Sequence, residues 1–128
     1  MDTEPGQKKK YNPNFGENLI VNMSFEFSMN ILSYSSLLEG HRRYALANQL
    51  IRSGTSIGAN VREAQNAESR QDFIHKMKIA AKEADETEYF LELCNQSPGY
   101  PSCSALLSNI LAIKKVLSKI IATTKKRS

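Results

Sequence analysis

Few residues in this chain are of the types that do chemistry, and their spacing argues against most of it. There are two histidines, His41 and His75, and two cysteines, Cys94 and Cys103. A dinuclear carboxylate site in a helical bundle needs Glu-x-x-His on two helices and a further Glu on each of two others. Only Asp72-x-x-His75 approaches that pattern, once, and the helical count turns His75 outward. No metal site is expected. Two histidines on distant segments give no Ser/His/Asp spacing to argue from. The run Asp85-Glu86-Thr87-Glu88 is rich in carboxylates, but consecutive helical positions point in different directions and do not converge on a ligand. Gly54 and Gly58 lack the Gly-Lys-Ser/Thr ending and the preceding strand of a phosphate-cradling loop. The cysteines are not spaced as CxxC, which favours reduced thiols in a cytoplasmic protein. The expectation is therefore no catalytic residue, no cofactor and no enzyme activity.

The elements that carry these residues read as helices. In residues 69–95, Phe73, Met77, Ala80, Ala84, Thr87, Leu91 and Cys94 recur at alternating steps of four and three. That is the repeat of helices packed at shallow angles. Ser69 with Asp72 resembles a capping box at its start. In residues 102–123 the same repeat runs through Cys103, Leu106, Ile110, Ile113, Leu117 and Ile120. In residues 43–66 it runs through Ala47, Leu50, Gly54, Ile57, Val61 and Ala64. Two glycines inside a helix cost ~1 kcal/mol each relative to alanine. Close approach of a neighbouring helix backbone is the simplest compensation. Residues 18–38 carry Ile20, Ser24, Phe27, Ile31, Tyr34 and Leu38 at helical spacing, although Met23 to Phe27 alternates like a strand. Gly40 is the expected left-handed stop, with a turn over 39–42.

Length and composition agree. The 128 residues are enough for one domain with a real core. At 41% hydrophobic and 23% charged the chain is globular, and 6 Gly with 4 Pro is sparse punctuation for an all-β fold. No apolar run approaches the ~20 residues of a membrane span, and no secretory leader is evident. The expected architecture is all-α, an up-down-up-down four-helix bundle over residues 17–124. A flexible arm over 1–16 carries Lys8-Lys9-Lys10, and a basic tail covers 125–128.

The outward faces hold the functional signal. Residues 100–128 contain six basic side chains and no acidic one, whereas Glu83, Asp85, Glu86, Glu88 and Glu92 crowd the third helix. Lys115, Lys119 and Lys126 fall within ~40° of one another by the helical step, with Lys114 as a shoulder. Arg52 and Arg62 add positive charge on the second helix. With a net charge of +4, such a face suits a phosphate backbone, read without base contacts. Equally, the lysines pair with carboxylates of a neighbour, and Arg52 and Arg62 pair with the third helix. Opposite the third helix's buried stripe lie Ile79, Tyr89 and Leu93, half of an outward line that also holds His75, Lys82 and Glu86. That marks a subunit interface.

The wording of the chain adds a resemblance. The run Arg52-Ser53-Gly54-Thr55-Ser56-Ile57-Gly58-Ala59-Asn60-Val61-Arg62-Glu63-Ala64 carries it. So do Glu17-Asn18-Leu19-Ile20-Val21, Asp72-Phe73-Ile74-His75-Lys76-Met77, Lys82-Glu83-Ala84 and Glu86-Thr87-Glu88-Tyr89-Phe90-Leu91. Together they resemble the bacterial 23S rRNA intervening-sequence protein family, over about residues 17–126. Phe90 stands where that family often has Trp. The resemblance implies a four-helix bundle assembling into a ring, commonly a pentamer, and no enzyme activity. It also implies kinship with the basic, pentameric accessory subunit of diversity-generating retroelements, which works with a reverse transcriptase and nucleic acid. Taken together, the expectation is a homo-oligomeric bundle that binds structured RNA or DNA through Arg52, Arg62, Lys114, Lys115 and Lys119. The alternative is a scaffold whose oligomer docks a partner protein.

Overall fold

The computed structural model describes residues 17–127. Four helices follow one another: α1 (Glu17–Gly40), α2 (Tyr44–Gln65), α3 (Arg70–Gln96) and α4 (Ser104–Lys126). Each packs against its neighbours in sequence, and α4 returns to α1. The backbones of α1 and α3, and those of α2 and α4, do not approach one another closely, so the four helices stand at the corners of a square. The α1–α4 side is the most loosely packed and the two sides that α2 shares are the tightest.

Every inward position expected from the repeat is buried, including Ser24 on α1 and Thr87 on α3. Phe27, Phe73, Ile31, Leu50, Met77 and Leu117 are among the largest fully enclosed side chains. Each contributes about 1.5–3 kcal/mol of hydrophobic stabilisation. The strand-like alternation from Met23 to Phe27 does not hold; these residues continue α1, because three further turns of inward apolar side chains follow them. Polar members of the core are satisfied at short range. Ser24 Oγ donates to Ile20 O at 2.8 Å, and Thr87 Oγ1 donates to Ser53 Oγ at 3.0 Å across the α2–α3 contact.

The glycines of α2 are explained by its neighbour. A Cβ on Gly54 would lie 2.9 Å from Ile31 Cγ1, and one on Gly58 would lie 3.3 Å from Ser24 O. Gly58 thus admits the backbone of α1, as expected, whereas Gly54 admits a side chain. The turn after α1 departs from expectation. Gly40 remains helical, and Arg42 takes the left-handed conformation at φ 60°. Arg43 N donates to Leu38 O at 2.8 Å and Arg42 N to Glu39 O at 2.9 Å, the paired closing bonds of a Schellman turn. The stop falls two residues late because these bonds need the left-handed residue at that position.

Ser69 caps α3, its Oγ accepting from Asp72 N at 3.0 Å. Asp72 Oδ2 accepts in return from Glu68 N at 3.4 Å, one residue before the position a capping box would use. At the other end of the bundle, Tyr34 Oη donates to Pro101 O at 2.7 Å and ties α1 to the α3–α4 loop. Cys94 and Cys103 are free thiols in the same region, and both are buried. Burial pushes the Cys94 thiol up to about 11 and raises Cys103 as well, so both are neutral at physiological pH and poor nucleophiles. Finally, α4 continues through Lys125 and Lys126, so these two residues belong to the helix and not to a tail. The arm over 1–16 and the terminal Ser128 lie outside the described residues.

The α1–α2 contact yields a direct test. Gly54→Ala should gain helix propensity yet lose stability by about 1–3 kcal/mol, because the enclosed, branched Ile31 must move. Gly58→Ala meets a longer contact and should cost less. Thermal denaturation of both variants checks the order; a Gly54→Ala protein as stable as wild type would contradict this packing.

Candidate nucleic-acid interface

On α4, the helical step that buries Ile110, Ile113 and Leu117 turns Lys115, Lys119 and Lys126 to solvent. All three are exposed and make no ion pair among the described residues. Lys114 is different. Its Nζ lies 2.9 Å from Asp85 Oδ1 and also donates to Glu88 on α3. Those bonds, that to Glu88 first, hold its proton affinity above the ordinary lysine range. It therefore braces the α3–α4 seam within one chain rather than serving the open basic face. The expected pairing of these lysines with a neighbour's carboxylates is met inside the chain by Lys114 alone.

The two arginines lie apart from this ridge. Arg52 reaches Glu86 at 3.3 Å and Gln49 at 3.0 Å, spanning the α2–α3 contact. Arg62 is exposed beside a groove of about 290 Å³ between α1 and α2, next to Phe25. Since α2 and α4 occupy opposite corners, Arg52 and Arg62 do not join Lys115 and Lys119 in one patch. The five expected contact residues thus resolve into an open pair on α4, a braced lysine, a paired arginine and an arginine at a separate groove.

Sequence reasoning missed Lys78. It is exposed on the mainly acidic third helix, and its positive charge is the largest of the influences that lower Lys125 of α4 below the ordinary lysine range. The signal was present in the sequence as a basic residue seven positions before Asp85, which puts it on the same α4-facing edge of α3.

The expected interface residues divide likewise. Tyr89 is 58% exposed and Leu93 38%, while Ile79 is half-buried. The Tyr89 ring leans on Phe90, centroids 5.7 Å apart. A larger apolar face lies on α1, where Phe25, Met29 and Leu32 are 56%, 52% and 45% exposed. Helical steps of 100° put these three together and away from the Ile20–Phe27–Ile31 stripe.

Among the described residues no group of three or more His, Cys, Asp or Glu is placed to hold a metal ion. His41 Nδ1 lies 3.0 Å from Leu37 O at the exposed end of α1. Among the described residues no helix is long and apolar enough to cross a membrane. One carboxyl is out of place: Glu83 Oε1 is enclosed with no hydrogen-bond partner among the described residues. Desolvation first, and then Glu86, raise its pKa above the ordinary carboxylate range. The folded state therefore binds this proton more tightly than the unfolded chain. Its destabilising effect is present in full above the folded pKa and fades as pH falls towards the unfolded value. Glu83→Gln should melt above wild type at pH 7, and the gap should close on acidification towards pH ~4.5. A variant less stable than wild type at neutral pH would show that Glu83 has an unrecognised partner.

The chain is similar to known proteins along nearly all of its folded part. The family model described as 23S rRNA-intervening sequence protein matches residues 16–120. A solved structure of a protein with unknown function from the S23 ribosomal protein family of Bacteroides thetaiotaomicron shares 40% sequence identity. That match covers 84% of this chain and 99% of that one, with a TM-score of 0.78. No curated protein matches. With its small-residue run at the α1–α2 contact and its four heptad-patterned helices, the chain belongs to the 23S rRNA-intervening sequence protein family.

Proposed function

We propose that this protein is a non-enzymatic, homo-oligomeric bundle that binds structured RNA or DNA through the phosphate backbone. The observation that carries the reading is the α4 ridge of Lys115, Lys119 and Lys126, on a helix with no carboxylate of its own. Such a ridge neutralises phosphates without reading bases, and its affinity depends steeply on salt. Lys115→Glu with Lys119→Glu should weaken binding to a structured 23S rRNA fragment about tenfold or more. It should also reduce the salt slope by about 2. A titration at two salt concentrations, with an unrelated duplex for comparison, reads both. Preference for the rRNA fragment supports a specific RNA role, whereas equal binding to both reduces it to a general polyanion surface. If wild type binds neither at low salt, the docking of a partner protein becomes the better reading.

The oligomer rests on α1 and α3. Their outward apolar faces stand at opposite corners of the square, Phe25, Met29 and Leu32 on one and Tyr89 with Leu93 on the other. A two-fold dimer covers the same patch on both subunits and leaves the second patch in water. A head-to-tail contact covers both and closes into a ring, which is consistent with a pentamer. Replacing Met29 by Glu should therefore release monomers while leaving the helical content intact, since Met29 points away from the core. Sedimentation analysis with circular dichroism checks this; an assembly of unchanged mass would place the interface elsewhere.

A further inference from the structure

At one end of the bundle the α1–α2 turn lies against the α3–α4 loop. The Arg43 guanidinium carbon sits 4.8 Å from the centre of the Tyr100 ring, and Tyr34 Oη of α1 donates to Pro101 O at 2.7 Å. Gly99 makes room for the first contact. Its φ of 80° disfavours any side chain, and a Cβ there would lie 3.3 Å from Arg43 Nη2. Arg43 is thus seated on the loop by Gly99 and Tyr100, yet it remains exposed. Next to it in the chain come Arg42, also exposed, and Tyr44, 57% exposed.

The charges of this surface are not consumed. Neither Arg42 nor Arg43 makes an ion pair among the described residues, and residues 93–103 contain no charged side chain. Glu39 is the one acidic residue in the turn. Packing alone does not select these residue types. Arg42 holds the left-handed conformation at φ 60°, where glycine is cheaper, and Tyr44 leaves more than half of its surface in water. Two guanidinium groups beside an open ring suit a ligand with a flat apolar face and a phosphate attached to it. An unpaired nucleotide has both. Its base stacks on tyrosine or guanidinium planes, and its phosphate accepts from arginine. A duplex keeps its base faces within its own stack and meets only the charge. An acidic peptide satisfies the arginines but need bring no flat face for Tyr44.

We propose that Arg42, Arg43 and Tyr44 form a stacking platform for unpaired nucleotides of a bound nucleic acid. The platform rests on the nucleic-acid reading above and adds a second site to it, of different chemistry. Ser104 begins α4 at this same end, so Lys115 lies about 17 Å further along the helix axis. One structured nucleic acid spans that distance, its paired segment held by phosphates on α4 and its open strand stacked at the bundle end.

The measurement is a titration with a short oligothymidine strand and with an abasic strand of equal length and charge. Tyr44→Ala should bind the base-bearing strand about tenfold more weakly and the abasic strand unchanged. Its circular dichroism should match wild type, because Tyr44 lies outside the core. Arg42→Gly should weaken binding of both strands yet melt no lower than wild type, since glycine relieves the left-handed conformation. Equal binding of the two strands by wild type overturns the platform, as does Tyr44→Ala with undiminished affinity for oligothymidine. If Tyr44→Ala changes nothing while Lys115→Glu with Lys119→Glu loses duplex binding, the platform falls and the α4 reading stands. If that double variant keeps duplex binding while Tyr44→Ala loses oligothymidine, the α4 reading falls and the platform stands. Wild type that binds neither strand at low salt overturns the platform and leaves this surface to a partner protein.

Discussion

A seven-residue repeat of inward side chains, shared by all four helices, constrains everything else in this molecule. The 3–4 alternation keeps one stripe of each helix facing the bundle axis over its whole length. Antiparallel neighbours then meet along two flanking edges, and one outward face is left at each corner. Ser53 and Thr87 show how tightly the constraint is held: polar residues at inward or near-inward positions are accepted because they bond to each other across α2 and α3. Gly54 and Gly58 show the same for volume, since the repeat brings α1 so close that a Cβ would meet Ile31 or the Ser24 carbonyl.

The corners differ in chemistry because the repeat leaves them free to. The outward side of α1 is apolar, with no basic residue anywhere in the helix. That of α4 is basic, and α3 mixes acids with Tyr89 and Leu93. Edges mediate between corners. Lys114 bonds to Asp85 and Glu88, and Arg52 bonds to Glu86, contacts between partly exposed groups that contribute up to about 1 kcal/mol each. Charges at edges are thereby consumed, and those on outward faces remain available to a ligand. Availability, rather than the number of cations, is what singles out Lys115, Lys119 and Lys126 for the proposed polyanion surface.

This separates what was legible in the chain from what was not. The four helices, their inward residues and the all-α bundle could be read directly, because a repeat along one helix is a local property of sequence. So could the outward direction of Lys115, Lys119 and Tyr89, by the same count. The exposed face of α1 was equally countable from Phe25, Met29 and Leu32, and escaped because only the buried stripe was traced. The late turn at Arg42 escaped for a different reason: glycine marks where a left-handed residue is cheapest, while hydrogen bonding to Leu38 and Glu39 decides where it is needed.

The sequence by itself determined the periodicity, the family wording and the segregation of charge by helix. Tertiary structure alone decided which charges are spent. Lys114 and Lys115 are adjacent in the chain and alike in type, yet one is held by two carboxylates and the other faces water, because a 100° step carries one to a seam and the other past it. Arg70 and Arg127, 57 positions apart in sequence, meet only because α3 and α4 run antiparallel in one register. Pairing across a seam depends on the relative placement of two helices, and no count along either one contains it.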